Sequence, residues 1–378
     1  MPDKNNDARG EVTPQQAKQY QAIKNRLFLF GLLLNCAFLL ALVVTGWSRQ
    51  IKIFLLNMRD DFLSINALYF CVFSALAFAL SLPLSFYEGY ILEHRYNLSC
   101  QSKKAWFADV LKHAAIALVV SLILVEGVYF FLSEFSSTWW LWAAGLWFFV
   151  SVVLARIFPK LILPLFFKPK PLEDGALRQR ITALLDRYAI KLKDVYVLDF
   201  SKKTVKANAM VAGLGRTKQI YLSDTLIAEF PPEEIEIVLA HEVGHYVARD
   251  TFKLVAAGLV SALVSFFAAK LILEQSIAFF GFRAVSDIAS LPLFLLVLML
   301  IGLILLPLQN GFSRFLERRA DLFALKATRA PEVFIAMMER LGKKNFSDFS
   351  PSRLVEIFLY DHPPIAKRIQ LAREEYAI

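Results

Sequence analysis

Cysteine is nearly absent, with three among 378 residues, too few for the disulfide framework of a small secreted scaffold. Cys36 and Cys71 lie inside apolar runs, where cysteine behaves as a small hydrophobe, and Cys100 stands alone in a loop. None has metal-ligand spacing. Histidine is scarce too, at five, so any imidazole site must draw on very few residues. Acids are outnumbered, 33 Asp and Glu against 42 Lys and Arg. No internal repeat is evident.

Charge as a whole is sparse, at 20%, whereas 57% of the chain is apolar and 34 residues are phenylalanine. That balance is too apolar for an ordinary soluble domain and indicates a membrane protein. The net charge of +9 then belongs to loops rich in Lys and Arg on one side of a bilayer, and nucleic acid is not an expected partner. Six apolar runs are long enough to span: about Leu27–Gly46, Ala67–Phe86, Leu111–Leu132, Trp139–Phe158, Leu254–Leu273 and Leu291–Leu308. The fourth can continue to Phe167 with breaks at Pro159 and Pro164, and a seventh is possible if Ile277–Phe282 enters the interface. The first run exceeds a signal-peptide core and is read as retained. Lys4, Arg9, Lys18, Lys24, Arg26, Arg95, Lys103 and Lys104 fall on one side, and Arg49, Lys52, Arg59 and Arg283 on the other. The asymmetry predicts both termini inside.

The expected organisation is a polar tail over 1–26, four spans over 27–167 with a cytoplasmic loop at 87–110, and a cytoplasmic domain over 168–253. Two more spans follow over 254–309, then a cytoplasmic part over 310–378. Lys168 to Gly175 (KPKPLEDG) reads as a stiff linker. Ala176–Tyr188 has helical periodicity, Val195–Phe200 reads as a strand, and Lys206–Ala212 with Lys218–Leu222 reads as a hairpin across residues 213–217. Glu126 is a charge inside the third span, where it is costly and should face other helices or water.

Within this domain, Pro231-Pro232-Glu233-Glu234 opens a helix that carries His241-Glu242-Val243-Gly244-His245. Histidines four apart share one helical face and can grip one metal ion, with Glu242 beside the water that the ion would hold. This is the H-E-x-x-H arrangement of zinc hydrolases. A catalytic zinc usually takes a third protein ligand. After the sixth span, Glu317 and Asp321 lie on one helical face with Arg314 three residues before Glu317. On spacing alone, a ligand pair and a solvated helix whose acids pair with its arginines are equal readings.

His241-Glu242-x-x-His245 followed by Asn310-x-x-Ser313-Arg314-x-x-Glu317-x-x-Ala320-Asp321 resembles the M48 family of integral-membrane zinc metalloproteases. Within it the chain is similar to the CAAX prenyl protease (Ste24) type. Asn208-Ala209 with Gly213 and Ile220 to Leu226, His362-Pro363-Pro364-Ile365 with Arg368-Ile369, and Glu93 to Ser99 match that type as well. The resemblance implies a mostly α, polytopic membrane fold with a helical barrel around a chamber and an inserted α+β protease domain. It implies one Zn²⁺ per chain held by His241, His245 and Glu317, with Asp321 behind a ligand histidine and Arg314 steadying these acids. It implies that His362 reaches into the site, and that the strand around Asn208 and Ala209 lines up the substrate backbone.

The expected chemistry is hydrolysis of a peptide bond by zinc-activated water, with Glu242 as general base and His362 stabilising the oxyanion. A turn histidine without a role, and a turn-capping asparagine, are the plain alternatives for His362 and Asn208. Glu93, His94 and Arg95 are either a rim near the site or an ordinary charged loop. A prenylated C-terminal CAAX peptide is the substrate that the resemblance implies, in a bacterial inner membrane or an ER membrane, with the site facing the cytoplasm. A quality-control protease acting on membrane proteins, and a transport or binding protein with structural zinc, are the alternatives. Glu242 argues against the last, because a structural site has no use for that base. An intramembrane site-2 type protease would need an apolar metal helix, and Glu233, Glu234 and Glu236 put this one in water.

Overall fold

The computed structural model describes residues 13–190, 195–213 and 218–377. Helix α1 (Pro14–Val44) opens on a reciprocal cap, in which the Thr13 hydroxyl accepts from the Gln16 N–H and the Gln16 side chain accepts from the Thr13 N–H. Residues 14–26, expected as part of a polar tail, are therefore helical. The reason is a small apolar face: Ala17 and Tyr20 are buried with Leu92, Leu98 and Phe346. The first twelve residues of the expected tail lie outside the described residues.

A short helix α2 (Trp47–Leu56) precedes α3 (Phe62–Phe86), which passes through a π-helical turn at Tyr87–Leu92 into α4 (Glu93–Arg95). That widened turn follows Pro83, whose missing N–H disturbs the ladder. Helices α5 (Lys103–Glu134) and α6 (Trp139–Ile157) follow, and the chain beyond α6 loosens at Pro159 and Pro164 as the sequence predicts. At the end of the bundle away from the sheet, Ser48, Tyr69, Tyr129 and Ser290 are buried. Ser48 lies 2.6 Å from the Tyr69 hydroxyl and donates to the Ala289 carbonyl, and the Tyr129 and Ser290 hydroxyls are 3.2 Å apart. Buried polar groups are tolerated there because they satisfy one another.

The domain after the fourth span begins with β1 (Lys170–Pro171), inside the segment expected as a linker. Lys170 and Pro171 pair antiparallel with Val197 and Tyr196 of β2 (Val195–Leu198), so residues whose composition suits a spacer carry an edge strand. Helix α7 (Ala176–Arg187) stands between β1 and β2. Strands β3 (Ala209–Ala212) and β4 (Gln219–Ser223) pair antiparallel, as the hairpin reading expects, although its turn residues 214–217 lie outside the described residues. Sheet order is β1-β2-β4-β3, with β2 parallel to β4, so β3 is an edge.

Helices α8 (Asp224–Glu229) and α9 (Pro232–Val247) lead into α10 (Asp250–Ser276) and α11 (Leu291–Thr328), after which α12 (Pro331–Lys344), α13 (Arg353–Leu359) and α14 (Ile365–Tyr376) complete the domain. One apolar core joins Leu184, Ile220, Ile237, Ala324, Phe334 and Ile369. The segments on either side of the last two spans therefore fold as one unit. Six helices among the described residues are long and apolar enough to cross a membrane: Pro14–Val44, Phe62–Arg95, Lys103–Glu134, Trp139–Leu165, Asp250–Ser276 and Ile288–Thr328. Ile277–Phe282 forms turns after α10 rather than a seventh span. Helices α3, α5, α6, α10 and α11 surround a cavity of about 760 Å³, walled mainly by apolar side chains such as Phe78, Trp147, Phe266 and Leu298.

Candidate metal centre

Helix α9 starts at Pro232, with Glu233 and Glu234 in its first turn where the helix dipole favours acids. It buries Ile235, Ile237, Leu239, Ala240 and Val243 in the domain core. The close partner is α11. A Cβ added at Gly244 would lie 3.2 Å from the Ala320 Cα and 3.1 Å from the Phe323 Cβ. Glycine at this position lets the two helices approach closely enough for a carboxylate on α11 to reach imidazoles on α9.

Glu317 makes that reach. Its oxygens lie 3.1 Å from His241 Nε2 and 3.2 Å from His245 Nε2, and the two Nε2 atoms are 3.1 Å apart. One ligand atom from each of the three residues falls within a mutual 4.8 Å. The other face of each ring is committed. Nδ1 of His241 is 2.9 Å from Asp321 Oδ1, and Nδ1 of His245 is 2.9 Å from Asp250 Oδ2. With Nδ1–H donated to a carboxylate, each Nε2 presents a lone pair to the shared point. Two lone pairs and a carboxylate facing one another need a cation between them. The buried Glu317 Oε2 makes no hydrogen bond of proper geometry, which fits the same reading. The donor set of two imidazoles and one carboxylate fits a divalent metal with a position left open.

With no cation between the ligands, the surrounding acids set the electrostatics of the site. Burial pulls the His241 pKa down, but hydrogen bonds to Asp321 and Glu317 outweigh it and raise it to about 9. Burial pushes the Glu317 carboxyl up, and its histidine neighbours more than reverse that, holding it well below the usual range. Burial raises Glu242, against the opposing pull of the two histidines and a hydrogen bond from the Val211 backbone N–H. A carboxylate raised in this way is a better proton acceptor, as a general base requires.

His362 stands at the mouth, half-exposed, with Nε2 3.3 Å from Glu317 Oε2 and Nδ1 2.8 Å from Asp361 Oδ1. Pro363 and Pro364 follow it, and Pro364 is the N-terminal cap of α14, so the ring projects from a stiffened segment. On the sheet, Asn208 is bound inward: its N–H donates to Ser223 Oγ at 3.0 Å and its carbonyl accepts from the Ser223 N–H at 2.9 Å. Backbone direction alternates along a strand, so Ala209 and Val211 turn their N–H and C=O outward. The Val211 N–H contact to Glu242 agrees with that phase. The main-chain groups free to meet a substrate thus belong to Ala209 and to the Val211 carbonyl, whereas Asn208 offers its exposed side chain.

Arg314 departs from its expected role. It donates to the carbonyls of Glu356 at 2.8 Å and Tyr360 at 2.5 Å rather than to Glu317 or Asp321. The cation on Asp321 is Arg368, whose Nε and Nη2 donate to the two carboxylate oxygens at 2.8 and 2.5 Å, all of it buried. Arg368 lies in a stretch that carries the resemblance, whereas Asp250 has no such signal, and it is gripped by Arg319 and by Lys253 at 3.3 Å. Its only cue is position, just beyond the end of the metal helix.

Comparison with known proteins follows the same lines. Residues 171–376 match the model of peptidase family M48, and residues 1–168 match that of the CAAX prenyl protease N-terminal region with five membrane helices. The chain is 31% identical to the uncharacterized metalloprotease YhfN of Bacillus subtilis, over 95% of this chain and 85% of that one. It is 28% identical to CAAX prenyl protease 1 of Saccharomyces cerevisiae, again over 95% and 85%. Its fold matches the crystal structure of S. mikatae Ste24p with a TM-score of 0.85 and 24% identity, covering 98% of this chain and 91% of that one. With six membrane-length helices among its described residues, and with ligands for a metal gathered on two facing helices of the domain that follows the fourth, the chain belongs to peptidase family M48 and is an integral-membrane metalloprotease.

Proposed function

We propose that this protein is a zinc endopeptidase whose site, on the cytoplasmic side of the membrane, cleaves peptides laid along the free edge of β3. The observation that carries the reading is the convergence of His241, His245 and Glu317 on one point, with both rings oriented by carboxylates. Zn²⁺ bound there would polarise the scissile carbonyl and bring its water towards neutral acidity. Glu242 accepts the proton of the attacking water and returns it to the departing amine. Asp361 holds Nδ1 of His362, which aims Nε2 into the pocket. A proton on Nε2 then donates to the oxyanion as it develops. The outward N–H and C=O of Ala209 and the Val211 carbonyl bind an extended substrate by strand addition, with Asn208 beside them.

The substrate class we assign is a C-terminal prenylated peptide of CAAX type, after the name of the yeast relative. Segments of misfolded membrane proteins are the competing class. The test is hydrolysis by the purified, zinc-loaded protein of matched prenylated and unprenylated peptides, with a chelator control. Chelation should abolish cleavage, and prenylation should raise kcat/KM at least tenfold. Cleavage insensitive to chelator would overturn the zinc reading, and equal rates on both peptides would overturn the prenyl reading.

A further inference from the structure

The apolar half of α11, Leu291 to Leu308, spans about 27 Å at the usual helical rise, close to the thickness of a bilayer's hydrocarbon. Arg314 and Arg318 follow about 9 and 15 Å beyond Leu308, at and just above headgroup depth. Beside them lies α13, tied to this part of α11 through its last carbonyls: Asn310 Nδ2 donates to Phe358 O at 2.8 Å, next to the two bonds from Arg314. Leu354 and Phe358, four apart on α13, share a face. They are 70% and 42% exposed, and Phe315 of α11 is 61% exposed. An apolar shoulder of this kind suits a membrane interface.

Over that shoulder opens a cleft of about 460 Å³ between α11, α13 and α14, lined among others by Arg314, Phe315, Arg318, Lys367 and Glu374. Its charges do not balance. Lys367 is paired with Glu356 at 2.7 Å, and Arg368 in the floor is paired with Asp321. Arg314 meets only carbonyls, and Arg318 is exposed with no ion pair among the described residues. Two guanidinium groups one turn apart thus face one remaining acid, Glu374, which accepts from Gln370 at 2.7 Å.

We propose that this cleft binds the phosphate headgroup of an anionic phospholipid from the adjoining leaflet, through Arg314 and Arg318, with its acyl chains over Phe315, Leu354 and Phe358. Guanidinium forks match phosphate oxygens in pairs. Free phosphate satisfies the charge but leaves the apolar shoulder uncovered, so the lipid accounts for both features. The inference rests on the membrane embedding and not on the proteolytic reading.

The experiment is native mass spectrometry of the full chain in detergent, titrated with phosphatidylglycerol or phosphatidylcholine of the same acyl composition. Phosphatidylglycerol should occupy the protein at a concentration at least fivefold lower. Arg318→Gln should erase that preference to within twofold and Arg318→Lys should recover most of it, while Arg283→Gln, in the loop at the other end of the bundle, should leave it intact. Leu354→Ser, which keeps the charges, should raise the phosphatidylglycerol concentration needed severalfold. Equal occupancy by the two lipids, or a preference that survives Arg318→Gln, would overturn the proposal. So would displacement of the lipid by millimolar inorganic phosphate, which would make this a site for the free anion.

Discussion

Asp250 accepts from Nδ1 of His245 at 2.9 Å across a break between two helices. Helix α9 ends at Val247, Arg249 adopts the left-handed conformation with φ 54°, and Asp250 opens α10. That single left-handed residue turns the chain so that a carboxylate five positions on folds back onto the histidine. Arg319 and Lys253 then hold the carboxylate in place. Asp250→Ala should therefore weaken metal binding by about 10- to 100-fold, the usual cost of losing a group that orients a ligand. Competition with a chelator of known affinity checks it, and unchanged affinity would leave Asp250 as a mere helix-start acid.

Glu242→Gln should keep the full metal stoichiometry while hydrolysis falls by about 10² to 10⁴, because it removes the proton acceptor and no ligand. Elemental analysis and peptide turnover on the same preparation read the two effects separately.

Arg368 and Asp321 form a buried pair joined by two hydrogen bonds. Arg368→Met should destabilise the protein by about 3–5 kcal/mol, since it leaves a carboxylate buried without its cation. Denaturant unfolding in detergent measures this, with Asp321→Asn in the same background expected to recover part of the loss.

Without metal, the His241 pKa is raised to about 9. A group raised on folding contributes stability that is complete below its unfolded value near 6.5 and is lost as pH rises through the folded value. Metal-free protein should accordingly lose stability between about pH 6.5 and 9. Metal affinity should move the other way, rising over the same window as the competing proton leaves. Chelator competition and thermal unfolding, each taken at several pH values, test both slopes.

Ala209→Pro removes an outward N–H of β3 without touching a bond to β4, a change that edge strands tolerate. Loss of one substrate hydrogen bond of about 1–1.5 kcal/mol should lower kcat/KM by about fivefold to tenfold, with metal content unchanged. Equal kcat/KM would place the substrate elsewhere than on this edge.

What the sequence by itself determined is local in nature. The periodicity of a helix puts His241 with His245, and Glu317 with Asp321, on single faces, and runs of apolar residues longer than a bilayer is thick mark the spans. Resemblance added the pairing of those two helices. Tertiary structure decided the rest of what stands behind the ligands, Asp250 on His245 and Arg368 on Asp321. Arg368 replaced Arg314 as the partner of Asp321 because α14 packs its buried face against α11, while the carbonyls at the end of α13 draw Arg314 away. Asp250 reaches His245 through one left-handed residue, and β1 emerges from an apparent linker because an unpaired strand lies beside it. Such outcomes depend on distances between elements remote in sequence, set by close packing at Gly244 and across the shared core, and no local pattern encodes them.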